Sequence, residues 1–504
     1  MPYSMYRVLV FASLLPVAAQ VREQLQQLVD AHRLRLEPMV LKFVLGEITP
    51  EAMYDFEQQL AAELRETARQ LLEGLLNLLE ADEPGQMPHD VHYRGCGFRR
   101  LNQKTRNANV ATLFGRIVLW RYGYRDWQRG SGEPVIFPLE IQLGLLCGAT
   151  PALAEAAGRY MAEAGATQQV VLARLREQHA VHWGVPRLRE LTGQLAESLQ
   201  EQTPKLQAAR VLELLEEATS SQGSRRPVLC VGRDGVTLRE YRYRFFENAS
   251  VGTVTVYNRS GKRLGTVYLA FAPQLGQGNM TQRLTWLVRE VLRRWEGPLP
   301  RLAYVTDAGD TETSYYRRVL CNMRHPRTGE RLSWQRIVDF YHAAERVWTM
   351  AEALFGSQSA AGRAWARRMC RALKQPGGPH RVLHSAAALR AARRLSKTRA
   401  ADFRKAYNYI RRRTRVMQYY EYRKLHLPIG SGVTEAACKT IFAQRLKLSG
   451  MRWGKEGAQV ILDLRVVLLS GIWERAYREH LRLRGAEELR TYDQSPEERL
   501  RLAA

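Results

Sequence analysis

Apolar residues recur along this chain with two different periods, and the change of period divides it into regions. From residue 1 to about residue 88 the spacing is helical, as in EAMYDFEQQLAAELRETARQLLEGLLNLLEA. Residues 89–210 hold a strand pair around Gly115, followed by further helical segments. From residue 227 an alternating pattern predicts strands in VLCVGRDGVTL, ASVGTVTVYN and RLGTVYLAF.

The order of elements in residues 220–358 predicts one particular fold. Three strands are followed by a helix, a strand, a helix, a strand and a helix, which indicates a mixed sheet with covering helices and matches the RNase H-like fold. Residues 359–424 read as a helical insertion, residues 425–475 complete the core, and residues 476–504 form a charged tail. We therefore predict a multidomain α+β chain.

Two segments have alternative interpretations. Residues 168–180 and 186–200 could form a helix-turn-helix that places Arg187 and Arg189 in a DNA major groove, or two helices that simply pack. The first 21 residues imitate a secretory signal, but the helical pattern continues past Pro16, which favours a buried amphipathic helix.

The charge of the chain points to a polyanionic partner. Its 504 residues include 76 Lys and Arg against 50 Asp and Glu, a net charge of +26. Nineteen of the basic residues, including the run Arg411, Arg412 and Arg413, lie between Arg363 and Lys424 with only two acidic residues. Charge this localised is typical of a surface that contacts nucleic-acid phosphates.

The cysteines and the apolar runs bound the location. Six scattered cysteines without a CxxC pair predict neither a disulfide framework nor a zinc finger, and they suit a reducing compartment such as the cytoplasm. No apolar run reaches the length of a membrane span, so no membrane partner is expected.

Three acidic residues stand where a metal-dependent nucleic-acid enzyme needs them. Asp234 and Asp307 each follow a strand, and Glu435 opens a helix in LPIGSGVTEAACK. Carboxylates held in this way can bind Mg²⁺, for which Mn²⁺ can substitute, and two such cations can support cleavage of a phosphodiester. Taken singly, a turn for Asp234, a helix cap for Asp307 and a helix-dipole contact for Glu435 each explain the residue better than catalysis does. Their order and context together favour catalysis.

Several neighbours are candidates for the same site. His342, in DFYH, either lies near the scissile phosphate or orients a metal ligand, or it is a buried histidine at a strand–helix corner. Lys439 follows Glu435 by one helical turn and contacts DNA or pairs with that glutamate. Further predicted DNA contacts are Arg445, Lys447, Arg452 and Trp453, of which the tryptophan is equally suited to a core.

Four blocks carry a resemblance to a known family: VGRDGV, VTDAGDTETSYYRRVL, VDFYHAAERVWTMAEALFG and LPIGSGVTEAACKTIFAQRLKLSGMRWGKEGAQVIL. Together they resemble bacterial DDE transposases of insertion sequences, most closely the ISKra-type group, which is distantly Mutator-like. The resemblance implies that Asp234, Asp307 and Glu435 are the metal-binding triad. It further implies nicking at terminal inverted repeats, strand transfer to double-stranded target DNA, a homodimer or higher assembly, and a nucleoid-associated enzyme in a bacterial cytoplasm.

The chain departs from the family pattern at two places. Relatives often carry paired cysteines after the strand pair, and YGYRDWQRG has none, so no zinc site is expected there. Asp310 follows Asp307 closely and competes with it for the metal. Two alternative functions remain: a stand-alone RNase H-like nuclease, and a non-catalytic, domesticated DNA-binding protein.

Overall fold

The computed structural model describes residues 14–126, 135–239, 246–485 and 490–491. These residues form two compact units. The first comprises the described parts of Met1–Met161, Ala166–Leu199 and Tyr477–Ala504. The second comprises those of Ala162–Gly165 and Gln200–Ala476, and it contains all three predicted catalytic carboxylates.

The first unit combines helices with an antiparallel sheet. Its helices are α1 (Leu14–Leu45), α2 (Pro50–Asn77), α3 (Pro138–Gln142), α4 (Pro151–Ala162), α5 (Gln168–His179) and α6 (Val185–Gln200). Its strands are β1 (Asp90–Tyr93), β2 (Cys96–Thr112), β3 (Gly115–Asp126) and β9 (Arg490–Thr491), in the spatial order β3-β2-β1-β9. The predicted strand pair around Gly115 is confirmed, since β2 and β3 form a hairpin in which Gly115 has a φ of +124°.

The prediction of a buried N-terminal helix is wrong for the described residues. Helix α1 does continue through Pro16, but its residues from Ala19 onward, whose side chains the structure describes, are exposed or half-buried. In α2 no residue is buried, although Phe43 and Phe56 stack between the two helices with ring centroids 4.4 Å apart. An amphipathic pattern identifies an apolar face but not what covers it. Residues 1–13 lie outside the described chain.

The second unit is built on a five-stranded mixed sheet. Its strands are β4 (Val228–Arg239), β5 (Phe246–Tyr257), β6 (Arg263–Phe271), β7 (Arg301–Thr306) and β8 (Trp334–Val338). The spatial order is β6-β5-β4-β7-β8. Strands β4, β5 and β6 are an antiparallel meander, whereas β7 and β8 add to β4 in parallel. The predicted sequence of strands and helices is confirmed throughout this sheet.

Helices cover both faces of this sheet. On one face α7 (Thr203–Ser220), α8 (Gly278–Arg294) and α9 (Asp310–Arg318) enclose a core that includes Leu229 and Val231 of β4. On the other face α10 (Phe340–Phe355) and the helices after it pack against Val228 and Cys230. Successive residues of β4 therefore point to opposite faces, as a strand requires.

The predicted basic insertion is helical. It consists of α11 (Ala360–Leu373), α12 (Gly378–Ala391), α13 (Lys397–Arg411) and α14 (Tyr419–Lys424). After it come α15 (Gly432–Ala437), a π-helical segment (Cys438–Ala443), the short α16 (Gln444–Leu446), α17 (Lys455–Leu469) and α18 (Trp473–Gly485).

The prediction that residues 476–504 form a charged tail needs correction. Residues 476–485 belong to α18, in which Tyr477 and His480 are buried, and β9 pairs with β1. High charge misled the prediction, because a helix can carry many arginines on one face and still bury the other. None of the helices in the described part of the chain has the length and apolar character needed to cross a membrane.

Candidate metal and nucleic-acid site

The register of two parallel strands brings the predicted aspartates opposite each other. Asp307 directly follows β7, as predicted. The prediction that Asp234 follows a strand is wrong, because β4 continues past it and stays paired with β5 as far as Arg239. The register of β4 and β7 runs from Val228 opposite Arg301 to Gly232 opposite Val305. Continued by two residues, the same register brings Asp234 opposite Asp307. Adjacent strands lie about 4.8 Å apart, so the backbones that carry these carboxylates are direct neighbours.

Glu435 lies at the same end of the sheet because α15 packs closely on β4. The hydroxyls of Thr434 and Thr253 are hydrogen-bonded at 2.8 Å. A Cβ atom on Gly232 would lie 2.0 Å from the Thr434 Oγ1 atom, so only glycine allows this approach. The Glu435 side chain itself is exposed, and its Oε1 accepts a 2.7 Å hydrogen bond from Ser431 Oγ.

The charges of the three carboxylates interact. Burial raises the pKa of Asp234, and the neighbouring charges of Asp307 and Glu435 raise it further. Hydrogen bonds from the Gly235 N–H (2.7 Å) and the Cys438 thiol (3.4 Å) act in the opposite direction. Carboxylates that repel one another in this way are stabilised by a bound cation.

A second group of ligands shares Glu435. One ligand atom each from Asp339, His342 and Glu435 lies within 4.8 Å of the others, the one such group of three in the described residues. Asp339 is fully buried, and its Oδ1 accepts a 2.9 Å hydrogen bond from the His342 N–H. His342 Nε2 is 3.5 Å from Glu435 Oε1, and Nδ1 is 3.2 Å from Glu345 Oε2.

His342 is therefore not a buried corner histidine. About a third of its side chain is exposed, at 32%, and its ring lies between two glutamates. The sequence allowed a role at the metal site or a buried structural role for His342. The structure supports the first of these interpretations, in which the ring orients a carboxylate that can bind metal.

Two residues near the triad escaped the sequence analysis. Glu312, in the first turn of α9, is buried; burial raises its pKa, as do the charges of Asp307 and Asp234. Cys438 opens the π-helical segment, and burial and the Asp234 carboxylate raise the pKa of its thiol. The spacing of Glu312 after Asp307 was a usable signal, whereas nothing in the sequence indicated the contact of Cys438.

Residues of the basic insertion form hydrogen bonds to the loop that carries Asp307. Ala308 adopts a left-handed backbone with a φ of +62°, which is uncommon for alanine and is often found at functional sites. Tyr409 donates a 2.7 Å hydrogen bond to the carbonyl of Asp307, and Arg413 donates one of 3.2 Å to that of Ala308.

A basic pocket lies beside this loop. Its volume is about 290 Å³, and its lining is Arg346, Lys405, Asn408, Tyr409, Arg412 and Arg413. No acidic side chain is part of this lining. Two of the predicted arginines, Arg412 and Arg413, thus lie next to the carboxylate site, while Arg411 is exposed and does not line the pocket.

One predicted DNA contact is wrong. Arg445 has no exposed surface, and its guanidinium lies 5.3 Å from the centroid of the Trp453 ring. Trp453 is half-buried and donates a 3.0 Å hydrogen bond to the Leu446 carbonyl, which favours the packing role for it. A charge pattern alone cannot distinguish an arginine on the surface from one enclosed beneath an aromatic ring.

The other predicted contacts are on the surface. Three of them are exposed: Lys439, Lys447 and Arg452. In the described structure, no ion pair within 4.0 Å joins Lys439 to Glu435.

In the first unit, helices α5 and α6 confirm the predicted helix pair. Arg189 is exposed and bonds Gln168 Oε1 at 3.0 Å, and half-buried Arg187 lies 3.8 Å from Glu190.

The geometry favours Asp307 over Asp310 as the second aspartate. Asp307 directly follows β7 and contributes to the raised pKa of Asp234. Asp310 is exposed in the first turn of α9, and it is not among the groups that shift the pKa of Asp234.

The donor atoms fit a divalent cation that prefers oxygen ligands. Asp339 and Glu435 belong to the compact ligand group, whereas Asp234 and Asp307 do not join Glu435 in a group of that size among the described residues. The charges of Asp307 and Glu435 nevertheless act on Asp234. These carboxylates suit Mg²⁺ and Mn²⁺, with the His342 imidazole as the one nitrogen ligand within reach of Glu435.

Comparison with protein-family models gives no match for this sequence, and no significant match is found among curated proteins.

Proposed function

We propose that the chain is a DDE transposase that nicks DNA at the terminal inverted repeats of an insertion sequence and transfers the strand ends. The observation that carries the proposal is the parallel register of β4 and β7, which continued by two residues brings Asp234 opposite Asp307, with Glu435 close enough to perturb the pKa of Asp234. Carboxylates so placed serve metal-dependent phosphodiester chemistry.

The fold supports the same proposal. A meander of three strands that continues into two parallel strands, with helices between them, agrees with the RNase H-like core expected from the sequence. The basic insertion enters between β8 and α15, and its residues hold the loop of Asp307. An RNase H-like core with this insertion explains why the glutamate follows so late in the chain.

Each group at the site has a distinct task in this proposal. Asp234, Asp307 and Glu435 would hold divalent cations, which when bound would supply positive charge for activating water and stabilising the leaving oxygen. Ser431 and His342 fix the direction of the Glu435 carboxylate. The pocket of Arg346, Lys405, Arg412 and Arg413 binds a backbone phosphate and so aligns the scissile bond.

The partner in this proposal is double-stranded DNA. The net charge of +26 and its concentration in the insertion support binding to transposon ends and target. A homodimer or higher assembly follows from the same proposal, because two ends must be joined in one reaction.

The test is a cleavage assay on DNA that carries the sequences flanking the gene, with Mg²⁺ or Mn²⁺. We expect nicking at the element boundary by the unaltered chain, and undetectable nicking by Asp234→Asn, Asp307→Asn and Glu435→Gln. Asp310→Asn is the matched control and retains nicking. Band shifts with all four variants should stay within about threefold of the unaltered chain, since the basic surfaces are untouched.

Three outcomes would redirect the proposal. Normal nicking by all three triad variants, or nicking in a chelator, contradicts it. Cleavage of an RNA–DNA hybrid without strand transfer identifies an RNase H-like nuclease instead. Tight binding of the ends without any nicking identifies a non-catalytic DNA-binding protein.

A further inference from the structure

A large groove opens on the sheet face opposite to the triad. It lies between α8 and α9, has a volume of about 1050 Å³, and includes Arg233 and Asp310 in its lining. Asp234 follows Arg233 within β4, so these neighbours point to opposite faces of the sheet. The groove thus begins one residue from the first carboxylate of the proposed site.

Arg233 places a buried positive charge at this groove. The residue is 2% exposed, and its guanidinium donates 2.9 Å hydrogen bonds to Thr281 Oγ1 and Gln277 Oε1, which are neutral. Its Nε has no hydrogen-bond partner among the described residues. The charge of Arg233 opposes the rise in the pKa of Glu312 that burial causes. Among the described residues, no ion pair within 4.0 Å joins Arg233 to a carboxylate. A buried cation with neutral partners attracts an anion.

Further cations line the walls. Arg289 and Arg318 are exposed and form no ion pair within 4.0 Å in the described structure, whereas Arg293 pairs with Glu290 at 2.7 Å. Arg289 and Arg293 are one turn apart on α8, and Arg318 ends α9 on the facing wall. The cations therefore extend along the groove instead of meeting at one point, which suits a chain of phosphates better than a single anion.

An aromatic ring lies among these cations. Trp286, on α8, is 38% exposed and lines the groove together with Gln282 and Thr285. The Arg283 guanidinium lies 5.4 Å from its ring centroid. Unpaired bases stack on exposed aromatic rings in proteins that bind single strands, where basic side chains follow the backbone.

We propose that this groove binds a single strand of DNA that leaves the carboxylate site. Phosphates of the strand contact Arg233, Arg289 and Arg318, and one unpaired base stacks on Trp286. Bases in an intact duplex have no free face to offer the ring, so the groove selects a strand that has been opened or displaced. The identity of the strand as DNA rests on the proposed function.

The test measures binding of a fluorescent oligothymidylate of about 12 nucleotides by anisotropy, in EDTA so that no metal chemistry intervenes. The variants are Arg289→Ala/Arg318→Ala and Trp286→Ala. The matched control is Arg294→Ala/Arg317→Ala, which removes two exposed arginines from the same helices outside the groove. Thermal unfolding of each variant checks that it folds.

We expect the groove arginine pair and Trp286→Ala each to weaken binding about tenfold, against less than about twofold for the control pair. The arginine pair should also flatten the dependence of affinity on salt, whereas Trp286→Ala should not. Binding of a blunt duplex should change little in Trp286→Ala.

Equal weakening by the two arginine pairs, or unchanged single-strand binding in Trp286→Ala, overturns the proposal. Equal loss of single-strand and duplex binding in Trp286→Ala overturns its strand selectivity. Because the assay contains no metal, its failure is separate from failure of the cleavage assay. A chain that never nicks DNA but loses single-strand binding as expected keeps the groove and loses the transposase assignment.

Discussion

The buried carboxylate of Asp339 accepts a hydrogen bond from the backbone N–H of Ser431, 92 residues further along the chain. The backbone N–H of Asp339 in turn donates to the carbonyl of Thr306 at 2.8 Å, directly before Asp307. One residue thus joins the loop of Asp307 to the loop that precedes Glu435. Asp339 is a positioning residue for both carboxylates, in addition to being a metal ligand within reach.

Asp339→Asn tests this positioning role. The amide has one acceptor oxygen for two backbone N–H donors, from His342 and Ser431, so one of them loses its partner in a buried place. We expect the free energy of unfolding to fall by about 1–3 kcal/mol, measured by chemical denaturation. Ser431→Ala is the comparison, because it removes the hydroxyl that contacts Glu435 but keeps the backbone N–H. Equal stability losses in both variants would contradict the assigned role.

Gly232→Ala tests the close packing of α15 on β4. The added methyl group would meet Thr434 Oγ1 at 2.0 Å and Thr253 Oγ1 at 2.6 Å, so the helix that carries Glu435 must move. We expect a loss of about 1–3 kcal/mol in stability and a larger fractional loss of DNA cleavage. Gly235→Ala is the control, since its Cβ would find its nearest atom at 3.7 Å. Similar behaviour of the two variants would show that α15 is not held by this contact.

His342→Ala tests whether the imidazole directs Glu435. We expect metal-dependent cleavage to fall about 10- to 100-fold, the usual effect of losing a group that orients a metal ligand. Glu345→Gln changes the partner of the other ring nitrogen and should cost less than His342→Ala. The measurement is the cleavage rate as a function of Mn²⁺ concentration. An unchanged metal dependence in His342→Ala would assign the histidine to structure alone.

Asp463 predicts a pH dependence of stability. Burial raises its pKa to about 7, while Gln459 Nε2 donates a 2.7 Å hydrogen bond to the carboxyl. The folded chain therefore holds this proton more tightly than the unfolded chain, whose aspartates titrate near pH 4 (about 3.9). The stability that the protonated group contributes is complete below about pH 4 and is lost as the pH rises through 7.

Asp463→Asn imitates the protonated form at every pH. We expect its melting temperature, relative to the unaltered chain, to increase between about pH 4 and about pH 7, the interval of the two pKa values, and to level off at higher pH. Asp402→Asn, at an exposed position of α13, should show no such trend. A difference that is constant or decreases with pH would mean that Asp463 is ionised in the folded chain throughout.

The sheet was predictable because strand alternation and helical spacing are local properties of the sequence. The β4–β8 region follows the predicted order, and Asp307 directly follows β7 as expected, whereas Asp234 lies within β4.

The parts that could not be predicted depend on contacts between distant segments. The thiol of Cys438 faces Asp234, and the carboxylate of Asp339 faces Ser431, but no local pattern marks either pair. The burial of Arg445 under Trp453 likewise depends on the tertiary fold. The single-strand groove was missed because its arginines and Trp286 are spread over two helices and a strand.

The most direct test of the central claim is the position of Mn²⁺ in crystals of the full chain, located by its anomalous scattering. The account predicts a peak coordinated by Asp234 and Asp307, with Glu435 as a ligand to it or to a second ion, and loss of that Glu435 coordination in Glu435→Gln. A peak held by Asp339, His342 and Glu435 alone, with none at the two aspartates, would contradict the aligned aspartates as the metal site.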